Sequence, residues 1–145
     1  MKGMSQAPSP LDDARNLLRD LGSRIAIVGA SNTPSKYGNI ILKNLKARGY
    51  QVIPVNPHET TIAGLPVYKS LGDVPKPVDI VNVVTRPEVT RTILRDAVAA
   101  GLGLVWLQPG SFDSRVLAET AGAPFRTVHD ACIMVEARDV APVRP

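Results

Sequence analysis

Short, unbroken apolar runs alternate along this chain with longer segments in which apolar residues recur at helical spacing. Five runs read as strands: Arg24 to Gly29, Gln51 to Val55, Val78 to Val84, Gly103 to Leu107 and Pro124 to Val128. Their apolar residues do not alternate with polar ones, the pattern of strands covered on both faces. Ser9-Pro10-Leu11-Asp12 predicts a helix start. Ser9 suits the cap and Pro10 the first turn, and Asp12 and Asp13 favour the positive end of the helix dipole. Ala14, Leu17, Leu18 and Leu21 follow at helical spacing, and Gly22 predicts the stop. A second helix, after Gly38, carries Ile41, Leu42 and Leu45 inward and ends at Gly49. A third starts around Thr85-Arg86-Pro87-Glu88 and runs through Ile93, Leu94, Ala97 and Val98 to Gly101. A fourth spans about Ser114 to Ala121, and Cys132 to Ala137 predicts a last turn of helix. Between Val55 and Val78 the chain reads as turns, with one helical turn over Ser70 to Val74.

Strand and helix alternate throughout. The pattern predicts an α/β, Rossmann-like three-layer fold, with a central parallel sheet of about five strands and helices on both faces. One domain is expected over residues 11–140, with a disordered N-terminal segment at 1–10 and a tail at 141–145. In such sheets ligands lie beyond the carboxyl ends of the strands, where strand order reverses. The segments after Gly29, Val55, Val84 and Leu107 are therefore the places to look.

Composition narrows the chemistry. The 145 residues are 44% hydrophobic and 4% aromatic, so an aliphatic core of ordinary size is available without cross-links. A single cysteine, Cys132, and two histidines argue against an internal disulfide, a multi-cysteine zinc site or a histidine-rich metal centre. No stretch resembles a signal peptide or spans a bilayer. A soluble, cytoplasmic protein with no membrane or nucleic-acid partner is expected. The net charge is +4, and between Arg24 and Tyr50 five basic residues occur with no Asp or Glu. Lys43, Lys46 and Arg48 equally suit a solvated helix face, but the segment as a whole suits a phosphate ligand.

The first strand leads into Gly29-Ala30-Ser31-Asn32-Thr33-Pro34-Ser35-Lys36-Tyr37-Gly38. Small residues let backbone N–H groups approach an anion, the following helix aims its positive end there, and Lys36 adds a charge. An ordinary strand-to-helix loop has a similar composition. Pro34 stands where a P-loop needs its second glycine, so a nucleotide-hydrolase reading fails. In the dinucleotide fingerprint the second and third glycines would fall at Ser31 and Pro34, a poor match. The second strand ends in Val55-Asn56-Pro57-His58, without the carboxylate that holds the ribose of NAD. Ligands with an extra ribose phosphate, NADP and coenzyme A, meet less repulsion there.

From Arg24 to Glu136 the chain resembles the stand-alone CoA-binding domain proteins, relatives of the CoA-binding domain of the succinyl-CoA synthetase α subunit. The resemblance rests on motifs in order. They are Ile27-Val28-Gly29-Ala30-Ser31 with Pro34, Lys36 and Gly38; Pro54-Val55-Asn56-Pro57; Tyr68-Lys69-Ser70-Leu71; Pro77-Val78-Asp79; Val105-Trp106-Leu107-Gln108-Pro109-Gly110; and Cys132-Ile133-Met134-Val135-Glu136. It implies that Gly29, Ala30 and Ser31 hold the diphosphate, with Asn32 and Gly38 in the same loop and Lys36 as counter-charge. It implies that Val55, Asn56 and Pro57 form a shelf for the adenosine end and that His58 stands where relatives place a base for the ribose 3′-phosphate. Thr85 and Arg86 would close the opposite side, and Trp106, Gln108 and Gly110 would line the path of the pantetheine arm. The synthetase relatives act through a phosphorylated histidine in a second domain for which 145 residues leave no room, so binding is implied and ligase activity is not.

Some residues keep two readings. Trp106 suits the core as well as a pocket wall. Cys132 reads as a small buried hydrophobe, or as a thiol placed to meet that of coenzyme A; with His129 it also forms a weak candidate nucleophile pair. Glu88 and Glu136 pair with nothing at a telling spacing. The expected function is binding of coenzyme A or an acyl-CoA by a non-catalytic carrier, sensor or partner of an acyl-CoA enzyme, as a monomer or homo-oligomer. An NADP-dependent oxidoreductase and an interaction module that has lost its ligand remain alternatives.

Overall fold

Five parallel strands form the centre of the computed structural model, which describes residues 7–142. In chain order the elements are α1 (Pro10–Leu18), β1 (Arg24–Val28), α2 (Tyr37–Arg48), β2 (Gln51–Val55), β3 (Thr61–Ile62), β4 (Leu65–Pro66), a single 3-10 turn (Leu71–Asp73), β5 (Ile80–Val83), α3 (Pro87–Ala99), β6 (Leu104–Leu107), α4 (Ser114–Thr120), β7 (Arg126–Val128) and α5 (Ile133–Asp139). The main sheet has the order β2-β1-β5-β6-β7. Ala26 pairs with Ile53 on one side and Val81 on the other. The chain winds from β1 to one edge, then returns across β1 to build the other half. The strand order therefore switches between β1 and β5, which opens a crevice at their carboxyl ends.

Alternate residues of each strand face opposite layers. Ile25 and Ile27 pack with Leu18 of α1, Leu42 and Leu45 of α2, and Ile133 of α5. Ala26 and Val28 pack with Leu94 and Ala97 of α3 and Val116 of α4. Burial on both faces is why the strands read as continuous apolar runs. Each fully buried residue such as Ile27 or Leu107 contributes about 1.5–3 kcal/mol.

Departures from the sequence reading have local causes. The first helix ends at Leu18 rather than near Gly22. There the Asp20 carboxylate accepts from Gly22 N–H at 2.7 Å and its carbonyl accepts from Ser23 N–H at 3.0 Å, a turn that displaces the next helical hydrogen bonds. Val78 and Asp79 stay outside β5. Asp79 instead brackets the start of β1, its carboxylate accepting from Arg24 N–H at 2.8 Å while its own N–H donates to Arg24 O at 2.9 Å. The small hairpin of β3 and β4 is invisible as a sequence period because each strand has two residues. Its turn, Ala63-Gly64, has φ of +51° and +78°, the pair of positive values a tight hairpin needs. Of the segment 1–10 expected to be disordered, residues 1–6 lie outside the described residues, while Ser9 and Pro10 already cap and begin α1. Of the expected tail, only 141 and 142 are described. Among the described residues, no helix is long and apolar enough to cross a membrane.

Tyr50, buried at the start of β2, donates its hydroxyl to Leu18 O and so fastens α1 to the sheet. Burial raises its phenol above the ordinary value. Tyr50→Phe is expected to cost about 1 kcal/mol near neutral pH. Because the folded pKa is raised, the wild-type contribution is complete below the unfolded value of about 10 and is lost as pH rises through the folded value. Denaturant unfolding near neutrality and at alkaline pH should show the gap between wild type and Tyr50→Phe narrowing as pH rises. A constant gap would refute this account.

Candidate functional site

The crevice at the switch point is an open cleft of about 580 Å³. Gly29, Ser31, Ser35, Lys36 and Gly38 form one wall, and Val84, Thr85 and Arg86, following β5, the other. Asn56 closes the β2 side, and Pro109, Gly110 and Ser111, following β6, the far side. These residues lie at strand ends, at helix starts or in the short connections between them, so the sheet sets their spacing.

The glycine loop is held at close quarters. Gly29 has φ +97°, a backbone conformation open to glycine at little cost, and its N–H donates to Val55 O at 3.1 Å. Gly38, in the first turn of α2, lies so near the loop that an added Cβ would sit 2.0 Å from Gly29 O. The loop is pinned from outside as well. Asn39 donates to Ser31 O at 2.9 Å, and Asn56 donates to Ala30 O at 2.8 Å while its oxygen accepts from His58 N–H at 2.7 Å. Asn32 donates to the Glu59 carboxylate and to Thr61 O, both at 2.9 Å. Thr33 N–H turns back onto the Ser31 hydroxyl at 3.0 Å.

Charge in the cleft has one sign. Lys36 and Arg86 are exposed lining residues, no Asp or Glu lines the cleft, and among the described residues neither cation forms an ion pair. Lys36 and Arg86 are also the N-cap residues of α2 and α3, and neither supplies a side-chain cap. The N–H groups of Tyr37 and Gly38 in α2 and of Glu88 in α3, where Pro87 has none, thus have no partner within their helix, and the positive helix ends reinforce the two cations. Away from the cleft, α1 and α4 are capped by Ser9 and Asp113. The arrangement suits a ligand carrying several negative charges.

A second, smaller recess of about 150 Å³ shares Tyr37, Val84 and Pro109 with the cleft and is completed by Gln108 and Cys132. The Gln108 amide is 4% exposed and fully oriented. Its oxygen accepts from Ile133 N–H at 2.8 Å and Asn82 at 3.3 Å, and its nitrogen donates toward Cys132 Sγ at 3.6 Å.

The structure brings together Gly29, Ser31, Lys36, Gly38, Asn56, Thr85, Arg86 and Gly110 in the cleft, and Gln108 in the recess. Ala30 and Val55 are buried and do not line the cleft, while Asn32, Pro57 and His58 are exposed outside its lining. Trp106 is a correction to the reading as a wall of the arm's path: it is fully buried in the α1–α2–α5 layer and donates its indole N–H to Ala131 O at 2.9 Å. Its position in β6 puts its side chain one residue short of the strand end. Tyr37, Val89 and Ser111 also line the cleft, beyond the residues expected from the sequence. Tyr37 is 63% exposed, and its place next to Lys36 in the loop is the signal the sequence offers for it.

The chain is similar over most of its length to known proteins. A family model described as "CoA binding domain" matches residues 23–138. The chain is 29% identical over 130 residues to the Bacillus subtilis (strain 168) protein YneT, described as uncharacterized, covering 90% of this chain and 95% of that one. It is 38% identical over 88 residues to the α subunit of Pyrococcus furiosus acetate–CoA ligase (ADP-forming) II, which is 59% of this chain but only 19% of the subunit. Among solved structures, a conserved hypothetical protein from Pyrococcus furiosus is 42% identical with a TM-score of 0.76, covering 79% of this chain and 98% of that one. A fold read from strand order, a cleft built on the glycine loop and a match across the sheet lead to one assignment: this chain belongs to the CoA binding domain family.

Proposed function

We propose that the cleft binds coenzyme A or an acyl-CoA, and that the protein works as a carrier, sensor or partner of an acyl-CoA enzyme rather than as a catalyst. One observation carries this reading. Among the described residues, a cleft lined by no carboxylate holds two cations without an ion-pair partner and two helix starts without a side-chain cap, around a glycine loop already fixed in place. The diphosphate lies against Gly29, Ala30, Ser31 and the start of α2, with Gly38 behind the loop and Lys36 and Arg86 as counter-charges. The adenosine end lies toward Asn56, with Val55, Pro57, His58 and Asn32 supporting that side. Thr85 and Gly110 border the path of the arm toward Gln108. These residues form one CoA-binding unit over 11–140. A partner enzyme is the natural extension of the likeness to a domain of acetate–CoA ligase subunits.

Calorimetric titration with coenzyme A, NADP and NAD, beside mass spectrometry of small molecules released from the purified protein, tests the reading. Coenzyme A should bind well ahead of both dinucleotides. NADP binding best would move the protein to the oxidoreductase alternative, and binding of none would leave an interaction module. Lys36→Ala and Arg86→Ala are each expected to weaken coenzyme A about tenfold at low salt and less at high salt, since each removes a solvent-screened charge contact. Unchanged affinity at low salt in both variants would count against the diphosphate position.

A further inference from the structure

Large apolar side chains stand exposed at four places among the described residues, and three of these fall on two adjoining helices. Tyr37 and Ile40 belong to α2 and Val135 to α5, and the two helices pack against each other. Tyr37 opens α2 and Cys132 caps the start of α5, and both line the recess. Ile40 lies one turn along α2 from Tyr37, and Val135 one turn along α5 from Cys132. Ile40 is 39% and Val135 40% exposed, although residues of this kind are usually buried. The exposed apolar positions thus continue outward from the cleft mouth over the seam between the two helices. Charge beside the seam is one-sided. No Asp or Glu occurs in α2, and Lys43 and Lys46 on it are exposed and, among the described residues, form no ion pair. On α5 the charges are matched, Arg138 with Asp139 and Glu136 with Arg15 of α1.

Contiguous apolar groups flanked by charge mark a surface that is covered in use. A second copy fits poorly, because a two-fold contact sets the lysines of one α2 against those of the other. A bilayer takes a long helix face that is apolar throughout, and α2 turns only Tyr37 and Ile40 outward among its exposed cations. An amphipathic helix of a protein fits both features: its apolar residues recur at the spacing of Tyr37 and Ile40, and carboxylates on its flank answer the lysines. We infer that the α2–α5 seam around Tyr37, Ile40 and Val135 docks an acidic amphipathic helix of the partner enzyme, whose carboxylates meet Lys43 and Lys46. The inference rests on the reading of this protein as the partner of an acyl-CoA enzyme. Tyr37 belongs to the cleft lining and to the seam, so the docked helix stands at the cleft mouth beside the ligand.

A synthetic helix with leucine on one face and glutamate on the other serves as the probe. Titrated into the isotope-labelled wild-type protein, it should shift the backbone resonances of α2 and α5 and leave those of α3 and α4 in place. The same leucine face backed by lysine should bind about tenfold or more weaker at low salt. Ile40→Glu and Val135→Glu should each weaken the acidic probe about tenfold or more, and Val98→Glu, on the exposed side of α3, should leave it unchanged. Both seam variants should bind coenzyme A like wild type, since neither residue lines the cleft or the recess. Equal binding of the acidic and basic probes, or shifts centred away from the seam, would overturn the inference. So would a wild-type dimer in sedimentation that Ile40→Glu dissociates, which gives the seam to a second copy. Co-sedimentation with phosphatidylglycerol–phosphatidylcholine vesicles that Ile40→Glu abolishes would give it to a membrane and overturn the inference too. Failure of the wild-type protein to bind coenzyme A, measured without the probe, would overturn the reading of the cleft instead.

Discussion

Gly38→Ala is expected to cost about 3 kcal/mol or more of stability and to remove coenzyme A binding with it. Adding a methyl group to a packed site ordinarily costs about 1–3 kcal/mol, because neighbours shift to make room. Here the obstacle is backbone rather than side chain. The new Cβ would lie 2.0 Å from Gly29 O, 2.9 Å from Gly29 C and 3.1 Å from Ala30 Cα. Neither partner yields easily. Gly29 is tied into the sheet through Val55 O, and the helix is held by the buried Ile41, Leu42 and Leu45. The start of α2 and the glycine loop must separate, and the N–H groups of both then leave the position that suits the diphosphate. Thermal melting should show a fall of about 10 °C for this chain length. Calorimetry below that midpoint should show no coenzyme A binding. A variant with wild-type melting and affinity would mean that the close contact has no energetic consequence.

Gly29→Asp is expected to abolish binding while leaving a folded protein. Two effects act together. At φ +97° a side chain is strained by about 1–3 kcal/mol, and its Cβ meets Thr85 Cγ2 at 3.1 Å and Val84 C at 3.2 Å. Its carboxylate then stands in a cleft that otherwise has no acid, where a bound diphosphate would face it. Like-charge juxtaposition of this kind costs several kcal/mol, so the loss is expected to exceed about a hundredfold. Gly29→Ala separates the two effects. It carries the strain without the charge and should retain measurable binding. If Gly29→Asp folds and binds coenzyme A like wild type, the anion does not sit at this loop.

Much of this was legible in the sequence, and the limits were physical. The order of strands and helices could be read because burial on both faces leaves runs such as Ile25 to Val28 wholly apolar. The glycine loop could be read because Gly29, Ser31 and Lys36 are neighbours in the chain. The far wall was harder. Val89 and Ser111 reach the cleft only because β5 lies beside β1 and β6 beside β5, a fact of strand order that local patterns do not carry. Trp106 shows the converse. Its neighbours Leu107 and Gln108 mark a strand end, but which face an aromatic residue takes depends on register, and one step decides between the core and a pocket. The hydrogen bonds of Asn32 and Asn56, which hold the loop, were also beyond local reading, since each partner lies on a different strand connection.

Those asparagine ties have a thermodynamic meaning. Asn39, Asn56 and Asn32 hold Ser31 O, Ala30 O and the Thr61 connection before any ligand arrives. Ordering a free backbone costs about 1–2 kcal/mol per residue. For this loop that cost is met during folding, by packing far from the cleft, and not during association. Ligand encounter then resembles docking onto a finished surface, in which little of the interaction energy is diverted into ordering the receptor.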